Sequence, residues 1–220
     1  MSDRFTEGLS RLGLELSEKT VESEMSFLNE LLRWNQRVNL TSIRNRDEAI
    51  EMHLLDSLLL LLHLESSMRV LDMGSGGGLP GIPLAIAIPS LQVVSVDSIG
   101  KKINFQKHIK RKLQLPNLTV VQTRIEDLEQ SDLGQEKYDL IVSRAFASLG
   151  DFLCHAAPRL RSGGRLLAMK GAEGRAELRA TRETIEHIGY SDPEIYDYEL
   201  PFSHAERQLI FLKKSSISQI

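Results

Sequence analysis

A doubly wound α/β fold, with a mostly parallel seven-stranded sheet behind a helical N-terminal layer, is the architecture these 220 residues predict. Three observations predict it. From Met68 onward, short runs rich in Val, Ile and Leu alternate with segments of helix length. A glycine-rich loop joins the first of those runs to the first of those helices. Ahead of them, residues 1–64 carry apolar side chains at helical spacing. The composition, 41% hydrophobic and 26% charged, is that of an ordinary folded chain and excludes intrinsic disorder.

In the N-terminal layer, Ser17 precedes a series of Val21, Met25, Leu28, Leu31 and Leu32 that Trp34 extends. A lone tryptophan in such a series reads as core before it reads as a ring that stacks on a ligand. Asp47 is placed to cap the next helix, which buries Ile50, Leu54, Leu58 and Leu61. The first twenty residues mix acids with apolar positions, unlike a secretory signal. The greasiest stretches, 54–64 and 79–89, are eleven residues each, against about 20 for a bilayer span. There is one cysteine, Cys154, and no Cys/His cluster at zinc-ligand spacing, so a cytosolic protein without a structural metal is expected. Cys154 itself reads as a small core residue. Residues 1–64 are expected to be a helical extension packed on a main domain at 65–220.

The strand-like runs are 68–73, 91–98, 118–123, 138–145 and 164–171. Helix-length segments lie between and after them at 81–88, 99–113, 125–130, 148–160 and 173–188. Repeated strand–helix–strand units imply a parallel sheet with helices on both faces. The last two runs, 195–200 and 207–213, read as an antiparallel hairpin closing the sheet edge.

A formal net charge of −3 hides an uneven distribution. Residues 1–30 carry seven acids against three bases, whereas residues 100–125 carry seven bases and no acid. A second basic run, 159–182, has seven bases and two acids. Such segments present a polyanion-binding face or simply solvated helices. On the helix at 99–113, Lys107, Lys110 and Arg111 share a face that would serve either purpose.

The loop runs Asp72-Met73-Gly74-Ser75-Gly76-Gly77-Gly78-Leu79-Pro80-Gly81. Five glycines in eight residues let a backbone turn sharply and approach a ligand at the carboxyl end of a strand, where open α/β sheets bind. Residues 76–81 also match the dinucleotide pattern GxGxxG. A pyrophosphate would, however, lie close to Asp72, which repels it. An acid there suits a ligand bearing a sulfonium and an ammonium, and the register Asp72, Gly74, Gly76, Gly78 favours S-adenosylmethionine. Asp97 ends the second strand, placed to accept hydrogen bonds from ribose hydroxyls. Ile125 and Glu126 follow the third strand, where adenine would lie.

Several segments occur in order between about residue 30 and residue 213: Asn39-Leu40-Thr41, His53-Leu54-Leu55-Asp56-Ser57-Leu58, GSGGGLPGIPLAI at 74–86, DSIGKKINF at 97–105 and SRAFASL at 143–149. In them the chain resembles the bacterial ribosomal RNA small subunit methyltransferase G family, also called glucose-inhibited division protein B. Pro80 and Pro83 in a helix's opening turn make that match restrictive. The resemblance implies a class I methyltransferase fold and methyl transfer from S-adenosylmethionine to N7 of one guanine in the decoding-site loop of 16S rRNA. The expected partner is 16S rRNA or the small ribosomal subunit, and the chain is expected to act as a monomer. Carried over, the cofactor positions are Gly74, Leu79, Asp97, Ser98, Ile125, Glu126 and Arg144. The basic positions are Arg124, Arg144, Lys170 and Arg207. The chain departs from the family at Met52 and Gln208, where arginine and histidine are usual.

Guanine N7 is a lone pair without a proton, so its methylation needs positioning and no general base. In keeping with this, Ser143-Arg144-Ala145-Phe146 lacks the Asn/Asp-Pro-Pro-aromatic segment of exocyclic-amine methyltransferases. Arg144 is expected to donate to guanine O6 or to the cofactor carboxylate. Lys170 and Arg207 would supply positive charge around the substrate, and Arg124 would meet phosphate. Phe146 stacks on an extruded base or, more simply, packs in the core. His53 and Asp56, one turn apart, are placed to bond each other. The rivals are a small-molecule methyltransferase of the same fold, and an RNA-binding or cell-division protein with a relic cofactor loop.

Overall fold

In the computed structural model, which describes residues 3–130, 135, 137–144, 148–190 and 193–213, one sheet carries seven strands. They are β1 (Arg69–Met73), β2 (Gln92–Asp97), β3 (Leu118–Gln122), β4 (Tyr138–Ser143), β5 (Leu160–Gly171), β6 (Glu194–Glu199) and β7 (Glu206–Lys213), in the order β3-β2-β1-β4-β5-β7-β6. Strands β1 to β5 are parallel. The final hairpin closes the sheet edge as expected, with β7 antiparallel between β5 and β6. Burial explains the placement. Leu209, Ile210, Phe211 and Leu212 are sealed on both faces, as an interior strand requires, while β6 is largely exposed and takes the edge.

Successive residues of a strand face opposite ways, and that alternation divides the apolar core in two. Val70, Val93, Leu140, Leu167 and Leu209 join one cluster; their neighbours Leu71, Val94, Ile141, Leu166 and Ile210 join the other. The first cluster is covered by α1 (Asp3–Arg11), α2 (Glu18–Val38), α3 (46–63), α4 (Gly81–Ala87) and α5 (Gly100–Lys112). The second is covered by α6 (Leu149–Ala156), α7 (Gly174–Ala180) and α8 (Arg182–His187). Phe5, Phe27 and Leu54 share one cluster with Val93 and Phe211, so the N-terminal helices and the sheet have a common core.

Ser17 caps α2 by accepting the Thr20 N–H, as its position predicts. The cap of α3 is Asn45 rather than Asp47: its Oδ1 accepts the N–H groups of both Asp47 and Glu48. The pitch of α3 then changes along its length. An α-turn at Arg46–Ala49 widens into a π-helix at Ile50–Leu55, returns to α over Asp56–Leu58 and tightens to 3₁₀ at Leu59–His63. The helix expected at 148–160 stops at Ala156, and β5 begins at Leu160, pairing with Tyr138 before a bulge. The helix expected at 173–188 breaks at Thr181, whose hydroxyl donates to the Glu177 carbonyl. Cys154 is exposed, not core, because Leu149, Phe152, Leu153 and Ala156 take the buried stripe of α6. No described helix is long and apolar enough to cross a membrane.

Candidate active site

Strands β1 to β4 run parallel, so Met73, Asp97, Gln122 and Ser143 end on one edge of the sheet. The strand order reverses between β1 and β4, which makes the crevice there the place where an α/β sheet takes its ligand. The glycine loop fills the exit from β1. Gly74 and Ser75 donate to the Val96 carbonyl at 2.9 and 3.0 Å, which ties the loop to β2. Gly76 has φ +58°, a conformation that side chains with a Cβ disfavour, and its N–H donates to Asp97 Oδ2 at 2.9 Å. Gly81 opens α4 so close to β1 that a Cβ would stand 2.7 Å from Asp72 Oδ2. Gln106 of α5, fully buried, laces the loop from behind: Nε2 donates to Ser75 Oγ and the Gly76 carbonyl, and Oε1 accepts from Ser95.

A cleft of about 750 Å³ opens over this loop. Gly74, Gly76 and Leu79 of the loop, Asp97 and Ser98 after β2, Arg124, Ile125 and Glu126 after β3, and Arg144 after β4 all line it. Asp97 is held rigidly, with Oδ1 accepting the Ile99 N–H at 2.8 Å and Lys102 Nζ 3.8 Å from Oδ2. Two expected members stand elsewhere. Asp72 and Gly78 do not line the cleft; the loop folds over them. Asp72 is fully buried, and its Oδ2 accepts the Gly81 N–H at 2.9 Å. Burial pushes its carboxyl up to about 7, against the opposing Gly81 bond and the Arg144 charge. Its Oδ1 has no hydrogen-bond partner among the described residues. Sequence reasoning missed Lys102, Asp151 and His155, which also line the cleft. The i, i+4 spacing of Asp151 and His155 at the start of a helix on the carboxyl edge was the available signal for two of them.

These groups fit S-adenosylmethionine. The cleft offers apolar Leu79, Ile99 and Ile125 beside the carboxylates of Asp97 and Glu126 and the cations of Lys102, Arg124 and Arg144. A zwitterionic nucleoside ligand needs all three kinds of surface. The buried Asp72 oxygen without a partner places a carboxyl just beneath, which suits a ligand of added positive charge.

A second cavity of about 310 Å³ adjoins the cleft and shares Thr41 and Arg144 with it. Lys170 and Arg207 line this cavity and not the cleft, together with Met52, His53 and Asp56. Arg144 donates to the Met52 carbonyl at 2.9 Å and lies 3.4 Å from His53 Nδ1 and 3.8 Å from Asp56 Oδ2. His53 and Asp56 turn to different partners rather than to each other. His53 Nε2 meets Thr41 Oγ1 at 2.9 Å, and burial, helped by the Arg144 charge, pushes the imidazole down to about 4, so it is neutral at pH 7. Asp56 accepts from the Tyr198 hydroxyl at 2.8 Å and lies 3.7 Å from Arg207 Nε. Burial raises its carboxyl, with Arg144, Tyr198 and Arg207 opposing. Lys170 donates to Glu177 at 2.7 Å. Of the two departures from the family pattern, Met52 lines the cavity, with Sδ 4.0 Å from Arg207. Gln208 does not; it bonds Asp197 and accepts the Arg175 N–H.

The sheet order, the antiparallel β7 between β5 and β6, and the glycine loop at the switch point define a class I S-adenosylmethionine-dependent methyltransferase. Solved structures with this fold include a SAM-dependent methyltransferase from Aquifex aeolicus (TM-score 0.58, 16% identity, covering 75% of this chain and 92% of that one). Another is TrmN from Thermus thermophilus (TM-score 0.55, 19% identity, covering 73% and 48%). The family is defined by sequence: residues 21–209 match the rRNA small subunit methyltransferase G family, to which this chain belongs. The ribosomal RNA small subunit methyltransferase G of Syntrophotalea carbinolica is 44% identical over 97% of this chain and 98% of its own length. That of Aromatoleum aromaticum is 42% identical over 95% and 97%.

Proposed function

We propose that this protein transfers a methyl group from S-adenosylmethionine to N7 of a guanine in the decoding-site loop of 16S rRNA, acting as a monomer in the cytoplasm. The observation that carries this reading is the meeting of two cavities at Arg144, one suited to the methyl donor and one lined by basic side chains without an available general base. In the second cavity His53 is bonded to Thr41, and Asp56 is occupied by Tyr198 and two arginines. A nucleophile that had to lose a proton would be poorly served there, whereas guanine N7 has none to lose.

Bound S-adenosylmethionine supplies a methyl group on a positively charged sulfur, which a lone pair can displace. The chain's own residues hold and orient the partners. Asp97 accepts from ribose hydroxyls, Ile125 packs against the adenine, and the Asp72 carboxyl lowers the energy of positive charge above the loop. Arg144 donates to guanine O6 and fixes the plane of the base. Arg207 and Lys170 answer phosphate. A methylated guanine is cationic, so these bases serve O6 and phosphate and stay clear of N7.

The test is to map N7-methylguanine in 16S rRNA from cells with and without the protein, by reduction and strand scission. One position in the decoding-site loop loses its methyl group when the protein is absent and regains it on complementation. An unchanged map, or methyl transfer to free metabolites alone, overturns the proposal.

A further inference from the structure

We infer that Asp56 is a positioning residue that holds the guanidinium groups of Arg144 and Arg207 together on the smaller cavity, so that both meet the incoming nucleotide. The inference rests on the rRNA reading above and concerns a residue that acts through the two arginines.

Arg144 comes from the end of β4, Arg207 from β7 and Tyr198 from β6, and all three converge on one carboxylate from α3. Asp56 lines the cavity too but is only 4% exposed, whereas the side chains of both arginines are 23% exposed and stand in front of it. Two guanidinium groups brought to one small cavity repel each other and lose hydration; an anion between them offsets both costs. The distances, 3.8 Å to Arg144 and 3.7 Å to Arg207, are those of ion pairs and lie beyond hydrogen-bond reach. Asp56 therefore attracts the two groups without occupying their N–H donors, and Arg207 Nε–H has no hydrogen-bond acceptor among the described residues. The Tyr198 hydroxyl fixes Asp56 in turn, at 2.8 Å. The same helix supplies the Met52 carbonyl that anchors Arg144, from the widened π-helical stretch immediately before Asp56. Such local widening of a helix is frequent at functional sites.

A purely structural salt bridge would tie α3 to the sheet and affect stability alone, and a double-mutant cycle separates the two roles. Asp56→Asn, Arg207→Ala and the double variant are compared on the rRNA substrate that the wild type methylates, with S-adenosylmethionine binding measured by calorimetry. Asp56→Asn keeps an acceptor for Tyr198 and is expected to lower kcat/KM about 30-fold, with the methyl-donor Kd changed less than about threefold. The double variant is expected to lose no more than about threefold beyond the worse single variant, because both changes remove one interaction. Should Asp56→Asn fail to fold, Tyr198→Phe takes its place in the cycle, with a loss of about fivefold that is again non-additive with Arg207→Ala. Additive losses, or a methyl-donor affinity that falls in step with activity, overturn the inference while leaving the functional reading intact. A wild-type protein inert toward rRNA overturns both.

Discussion

Burial holds the Asp72 carboxyl at about 7, so it is half-protonated near neutral pH in the folded chain, whereas an unfolded chain would leave it ionised there. The folded state binds this proton more tightly than the unfolded state. The stability Asp72 contributes is therefore fully present below about pH 4 and is lost as the pH rises through about 7. Asp72→Asn keeps an acceptor for Gly81 and removes the titration. Urea unfolding is expected to show the variant gaining on the wild type between pH 5 and pH 8, by about 2–3 kcal/mol. Its affinity for S-adenosylmethionine at pH 8 is expected to fall about tenfold, since the negative charge beneath the loop is gone. A variant that matches the wild type in both measurements would deny Asp72 any electrostatic role. The acid–glycine register made Asp72 legible in the sequence, but its depth was not. Depth follows from Gly81, whose missing side chain lets α4 close over the carboxyl.

The loop depends on an element that looks, in sequence, like a basic rail. Along α5, Ile103, Gln106 and Ile109 recur at helical spacing and are buried, while Lys101, Lys107 and Arg111 face solvent. A glutamine in phase with two buried isoleucines was the signal that it belongs to the interior, and the surrounding lysines masked it. Gln106→Leu preserves the volume and leaves Ser75, Ser95 and the Gly76 carbonyl without their partner. The expected cost is about 1–3 kcal/mol of stability, read by denaturant unfolding, with methyl-donor affinity reduced about tenfold or more as the loop loosens. Unchanged affinity would show that the Val96 and Asp97 bonds alone hold the loop. The strand–helix alternation itself was legible because buried parallel strands are apolar on both faces. The closing hairpin was legible as well, but which of its two strands lies inside was not, because local pattern does not say which neighbour a hairpin strand chooses. The break at Thr181 was hidden for a related reason: one hydroxyl bonding its own helix decides it.

At the scale of the whole molecule, the net charge of −3 is a poor guide to what the surface attracts. Two of the acids near the N-terminus do not act at the surface. Glu24 is fully buried, and burial raises its carboxyl well above the usual range; Glu30 is occupied by Arg33, His108 and Lys112. Lys112 is thereby removed from the basic run of α5, Lys102 turns to the cleft, and Lys110 is half-buried. Lys107 and Arg111 are exposed, one turn apart, on a helix whose N-terminus stands at the rim of the cleft. If an rRNA strand runs from the cleft along α5, these two bases meet its phosphates, and neither touches the methyl-donor site. Reversing both charges, Lys107→Glu with Arg111→Glu, is then expected to raise KM for the rRNA about tenfold while kcat and S-adenosylmethionine affinity stay within about twofold. The slope of log affinity against log salt should become shallower by about one for each phosphate that the variant no longer neutralises, so by about two here. An rRNA affinity and a salt slope identical to those of the wild type would place the strand elsewhere, since a base cannot leave a phosphate without giving up the counterion release that its binding brings.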